Sequence, residues 1–368
     1  MSEIVKGVLS GGLALVAGWI LPTALNLLLL GIFVIPSVPG GRSLIDSVAP
    51  NEAGKAALLL GAAVVCGLVL NVLQTPLYRV LEGYLLWPQW AFQRRRRRHV
   101  KNKARIADRL ALIRRYQDEM KALSKQSEAA NRTKLESIRH SAEFSRMTRK
   151  DRYRFAPQRA LLREELRRYP VDDDQILPTR LGNAIRRFEE YGWNHYRLDS
   201  QSLWSRLISV VPDPVRKQVD TAQVGVDFFV CLLYGHIAVA LAALAAIAVG
   251  GINKWTLLVA VAVPLGFVPA WYRLAVATTD QWAVAIQALV DLGRQPLATA
   301  LGLLIPATIE DERTMWERVS RFSSREYDFE RGKLLSEFRA KPQGDDHHFQ
   351  APTDGDQRKA TQPKLPST

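Results

Sequence analysis

The chain of 368 residues is 48% apolar and carries 50 Lys and Arg against 36 Asp and Glu, a net charge of +14. Its two cysteines, Cys66 and Cys231, both fall inside apolar runs, which excludes a disulfide framework as the organising feature. There is no G-x-x-x-x-G-K-[ST] loop, G-x-S-x-G elbow, H-E-x-x-H helix or C-x-x-C pair, and the six histidines are scattered. No enzyme activity, catalytic residue or cofactor is therefore expected.

Four runs without Asp, Glu, Lys or Arg occupy residues 11–35, 56–73, 228–249 and 255–272. Each approaches the roughly 20 apolar residues with which a helix crosses hydrocarbon, where every backbone N–H and C=O has to be bonded within the segment. They predict an all-α, polytopic membrane protein with four transmembrane helices in two hairpins and a helical cytosolic domain. The first run is longer than the h-region of a signal peptide and is followed by no clear small-x-small site, so it reads as a span. The expected division is 1–76 for the first hairpin, 77–225 for a basic cytosolic domain and 226–276 for the second hairpin. Residues 277–340 then form C-terminal helices on that domain or on the membrane, and 341–368 a disordered tail.

Orientation follows from the positive charge. Residues 77–225 hold 33 Lys and Arg against 18 Asp and Glu, a net of +15, so the basic surplus of the chain belongs to this segment. Arg79 and the run Arg94, Arg95, Arg96, Arg97 and Arg98 follow the second span closely, where the positive-inside bias is read. A multi-pass protein of the plasma (inner) membrane is expected, with both termini and the central domain cytosolic and short outward loops at 36–55 and 250–254.

After the second span, Gln74-Thr75-Pro76 leads into Leu77, Leu81, Tyr84 and Leu85 at helical spacing, a kinked continuation in the interface. Arg79 and Glu82 are three apart and read as a surface pair, while Trp87 and Trp90 mark headgroup depth. From residue 94 to about 168 the composition predicts long helices. Ile106, Ile113 and Met120 repeat every seven residues, but Arg109 takes an equivalent slot, so a helical hairpin or short coiled coil is expected. Asp172-Asp173-Asp174, between Pro170 and Pro178, reads as a solvated turn rather than a metal loop.

The block Pro178-Thr179-Arg180-Leu181-Gly182-Asn183 admits two readings. One is an anion-binding turn, with free N–H groups at a helix N-terminus and Arg180 as a bidentate fork. The other is Thr179 as an N-cap with Gly182 for close packing. A helix from near Pro214 is expected to run into the third span. Beyond the fourth, Trp282, Ile286, Leu289 and Val290 form an apolar stripe, and Thr308 with Asp311 and Ser323 with Glu326 have capping-box spacing. Asp345-Asp346-His347-His348 in the tail lacks anything to fix a metal geometry, so no metal site is expected.

Within the spans, His236 is a candidate intramembrane functional residue, because burying an ionisable group in hydrocarbon is costly. Its bland reading is a helix–helix hydrogen bond to Asn71 or Asn26. Ala238, Ala242, Ala246 and Gly250 recur every four residues and permit close helix approach, within one chain or in a homo-oligomer. Pro22, Pro264 and Pro269 are expected to distort their spans. No charge lies near the midplane, which disfavours transport of polar solutes.

Three blocks, Gln74-Thr75-Pro76 through Glu82-Gly83-Tyr84, the Pro178 to Asn183 string, and Pro306 through Glu312 to Trp316, resemble those of an uncharacterised bacterial family of multispanning membrane proteins. The resemblance implies the architecture and no reaction, ligand or partner. The leading functional expectation is a non-enzymatic membrane protein whose basic helical domain docks on anionic membrane lipid or an acidic protein, through Arg94 to Arg98 and Arg180. Nucleic acid ranks last because acidic residues are interspersed and stacking aromatics are few. The alternative is an oligomeric ion channel or membrane-permeabilising effector gated by its cytosolic helices.

Overall fold

The computed structural model describes residues 12–123, 133, 136–137, 140, 155–324 and 334–339. The ordered elements among them are helical. Four helices are long and apolar enough to cross a membrane: α1 (Gly12–Ser37), α3 (Glu52–Val72), α10 (Asp213–Ala248) and α11 (Lys254–Ala300). The others are α2 (Gly41–Val48), α4 (Gln74–Glu82), α5 (Gln89–Leu123), α6 (Phe155–Arg167), α7 (Arg180–Glu189), α8 (Tyr191–Tyr196), α9 (Trp204–Val210) and α12 (Ile309–Ser323).

Helices α10 and α11 form the spine. Pro214 sits in the first turn of α10, where its missing N–H costs nothing, and no break intervenes before Ala248. At 1.5 Å per residue the 36 residues of α10 span about 54 Å and the 47 of α11 about 70 Å. Both exceed a hydrocarbon core of about 30 Å. Their connection is tight, with Gly250 at φ 82° and the Ile252 N–H bonded to Ser37 O at 2.8 Å. The boundaries drawn from sequence at 225/226 and 276/277 fall inside these rods, and the one at 76/77 falls inside α4. Pro264 and Pro269 lie within α11 without ending it.

Around the spine, α1 crosses α10 closely. The helix is wound into wide π turns at Val16–Ile20 and Leu30–Val34, the first just before Pro22, whose ring cannot donate to the preceding turn. Polar side chains here bond back to the preceding turn, Thr23 Oγ1 donating to Trp19 O at 2.6 Å and Asn26 Nδ2 to Pro22 O at 2.7 Å, while Asn26 Oδ1 has no partner among the described residues. Ala243 and Ala246 pack with Val34, Leu257 and Ala260, placing two of the small residues of α10 between α1 and α11.

A second, larger core extends past the apolar runs. Leu181, Ile185 and Phe188 of α7, Leu207 of α9 and Met315 and Trp316 of α12 join Val226 and Val230 of α10 and Ala285, Leu289 and Val290 of α11 in one cluster. Thr308 caps α12, its Oγ1 accepting the Asp311 N–H at 3.2 Å, as the spacing predicts. Ser323 is the last residue of α12, and Glu326, its expected capping partner, lies outside the described residues, as do the tail 341–368 and its Asp-His cluster. Helix α12 is held by Glu312, which is buried, pairs with Arg294 and accepts the Trp316 indole N–H at 3.1 Å.

Helices α5 and α6 pair antiparallel, since His99 meets Tyr169 at one end and Arg159 bonds Gln117 at the other. Ile106, Leu110 and Ile113 bury against Leu162 and Tyr169. Leu110 rather than Arg109 fills the middle of the seam; the side chain of Met120 lies outside the described residues.

At Gly182 of α7, an added Cβ would lie 2.4 Å from Glu82 O and 2.9 Å from Thr179 Oγ1. Gly182→Ala should therefore lower the thermal midpoint in detergent by the equivalent of about 1–3 kcal/mol, the usual cost of overpacking. Gly225→Ala, whose Cβ would meet only Thr278 at 3.8 Å, should be neutral or slightly stabilising. Equal midpoints for the two variants would refute the α4–α7 contact.

Candidate functional site

The five arginines of α5 divide by direction. Arg96 turns inward: its Nε donates to Ile176 O at 3.2 Å and its Nη2 to Asp173 O at 2.9 Å and Asp174 Oδ1 at 3.4 Å. Lys103 completes the clasp, reaching Val171 O and Asp173 Oδ1 at 2.6 Å each. The aspartate run is thus a partner for basic side chains of α5. Arg94, Arg95, Arg97 and Arg98 are exposed, with no carboxylate partner among the described residues.

Immediately before them the chain exposes apolar surface. Gly83 ends α4 in the left-handed conformation, where an added Cβ would strike Pro178. Leu86 also has positive φ, 60°, and is 87% exposed; Trp90 is 72% exposed, and Tyr84 and Leu85 are exposed beside them. Trp87 is turned back instead, its indole donating to Val80 O at 3.0 Å.

His99 is buried and in contact with Tyr169 at 3.1 Å, and the charges of both Arg95 and Arg180 act on it. Burial first, then the Arg180 and Arg95 charges, hold the His99 imidazole below its usual value, so it is neutral at pH 7. Arg180 opens α7, whose N-terminus offers no free anion site. Thr179 Oγ1 accepts the Gly182 N–H at 2.9 Å, and the Tyr272 hydroxyl accepts those of Arg180 and Leu181 at 3.1 and 3.2 Å. Of the two readings of this block, the geometry matches the cap with close packing, and the Arg180 side chain remains free of it. It lines a cavity of about 350 Å³ together with Arg168, Tyr169, Tyr272 and Arg273.

His236 is buried on α10 against Phe267 and Trp271 of α11, ring centroids 6.3 and 5.6 Å away, both edge-on. The amide nitrogen of Asn26 is spent on Pro22 O, and His236 Nδ1 has no partner among the described residues.

Two acidic residues form a further centre. Asp227, at the edge of the third apolar run, is buried and accepts from Tyr78 Oη at 2.6 Å and Gln74 Nε2 at 3.1 Å, with the Trp19 indole as a further donor. It joins α1, α4 and α10. Gln74 and Tyr78 also line a cavity of about 570 Å³ that contains Arg79, Glu82, Arg186 and Glu189. There Glu82 is pushed up to about 7, first by burial and then by the Glu189 carboxylate, with Arg79 and Arg186 opposing. The lone acid flush with an apolar run was the available signal for Asp227; nothing local marks the environment of Glu82.

Compared with protein-family models, with curated proteins and with solved structures, the chain matches none. The roles of these residues therefore rest on their geometry.

Because Glu82 binds its proton more tightly folded than unfolded, it lowers stability as pH rises from about 4.5, its unperturbed value, through about 7. Glu82→Gln should gain roughly 1–3 kcal/mol on the wild type at pH 8 and nothing at pH 4, read from unfolding midpoints in detergent. A constant difference across that range would contradict the burial of the carboxyl.

Proposed function

We propose that the protein is a non-enzymatic integral membrane protein whose basic face docks on anionic lipid headgroups of the bilayer that its spans occupy. One observation carries this reading. Arg94, Arg95, Arg97 and Arg98 are exposed with no carboxylate partner among the described residues, directly after the exposed apolar segment of Tyr84, Leu85, Leu86 and Trp90. Trp and Leu favour the interface and the acyl boundary, and an arginine near an anionic leaflet gains about 1 kcal/mol. The inward turn of Arg96 separates structural from solvent-facing arginine within a single run. An acidic protein segment would satisfy the same guanidinium groups, but it would need an apolar patch of its own to cover the tip in front of them.

The orientation that accompanies this reading places the arginine face and both termini in the cytosol, on the positive-inside argument. The test is lipid selectivity around the full-length protein in phosphatidylcholine bilayers containing phosphatidylglycerol, read by spin-labelled lipid. The wild type should enrich the anionic lipid at low salt. R94Q/R95Q/R97Q/R98Q should reduce that preference by tenfold or more, at about 1 kcal/mol per arginine, and high salt should mimic the variant. Equal, salt-independent selectivity in both proteins would sink the reading.

A further inference from the structure

We infer that the cavity between α6, α7 and α11 seats the headgroup of one phospholipid molecule, its phosphodiester held by the guanidinium groups of Arg180 and Arg273 and by the Tyr272 hydroxyl. This deepens the membrane reading and rests on it. The donors converge for separate reasons. Both lone pairs of the Tyr272 hydroxyl are occupied by the N–H groups of Arg180 and Leu181, so its own proton has to be donated elsewhere, and no described residue accepts it. Tyr272, Arg180 and Arg273 all line the cavity. Neither arginine has a carboxylate partner among the described residues, whereas Arg168 in the same wall is paired with Asp280 and Glu164 through Nε and Nη2. Two planar forks and a hydroxyl match the oxygens of a phosphate.

The surroundings select a lipid over free phosphate. Tyr272 ends the apolar run 255–272, so the donors sit where acyl chains would begin. Leu161, half-exposed, and Val276 line the same cavity, and Leu274 is exposed on the adjacent turn of α11. A volume of about 350 Å³ suits a headgroup with its glycerol rather than a bare anion. Glu165, also in the lining, offers an acceptor to the distal end of the headgroup, a glycerol hydroxyl or an ammonium.

The experiment is native mass spectrometry of the full-length protein in mild detergent, supplied with phosphatidylglycerol or phosphatidylethanolamine. The wild type should retain one lipid saturably, and R180Q/R273Q should lose it by tenfold or more. The Arg180 N–H stays in place, so the variant should keep its helix content and thermal midpoint; R273Q alone, on an exposed face, serves if the double variant does not fold. R94Q/R95Q/R97Q/R98Q should retain the single lipid, which separates this seat from the general docking face. A folded R180Q/R273Q that holds lipid like the wild type overturns the proposal, as does a wild type that holds none. Inorganic phosphate raising the midpoint of the wild type alone, with no lipid retained, assigns the arginines to a soluble anion and overturns the lipid.

Discussion

Helices α10 and α11 leave the apolar zone as uninterrupted rods, and the rest of the chain is positioned by packing on them. Helix formation explains why this is possible: each added residue satisfies one more backbone bond, so a segment continues even when its side chains change from apolar to polar, and α11 does so past Pro264, Pro269 and Pro296. What changes is only the lining, from Val239, Ala243 and Leu257 to Ile286, Leu289 and Leu297. The apolar zone and the polar body therefore bury separate clusters along the same two helices rather than meeting at a linker. Helices α7, α9 and α12 close the cluster of the polar body on the side of α11.

Charge is then distributed in two ways. Arg96, Arg168 and Arg294 are spent inside the fold on carboxylates or carbonyls of a neighbouring element, and Arg186 on Glu189 and Glu190 at the end of its own helix. Arg94, Arg95, Arg97, Arg98, Arg180 and Arg273 are not, among the described residues. Surface ion pairs contribute at most about 1 kcal/mol, so leaving six guanidinium groups without carboxylates costs the fold little and keeps them available to an external anion. Buried acid follows the opposite rule. Asp227 is surrounded by donors from two helices, α1 and α4, because a carboxylate without them would be far costlier to bury.

The four apolar helices and the all-helical character of the described residues were legible from hydropathy, and so were the caps at Thr179 and Thr308, whose partners are three residues away. The extent of α11 was not. Asp280, Asp291 and Arg294 lend its second half the look of a separate amphipathic helix, and only the absence of any Gly or Pro break between Tyr272 and Trp282 argued for continuity. The arginine run was visible as charge, but the inward turn of Arg96 depends on the Asp173 turn 77 residues later. Likewise the hydroxyl that occupies the N-terminus of α7 comes from Tyr272, about 90 residues away, and no spacing rule reaches that far. Long-range contacts of this kind decide which basic groups are free.

The length of α11 also has a mechanical consequence. One end adjoins the hairpin that bonds Ser37 of α1, and the other carries Arg294, the anchor of Glu312 on α12. A rod of about 70 Å tilted by about 5° swings its far end by roughly 6 Å, more than the reach of an ion pair. Any tilt at the hairpin is thus carried along the rod and arrives as a larger displacement at the Arg294–Glu312 clasp.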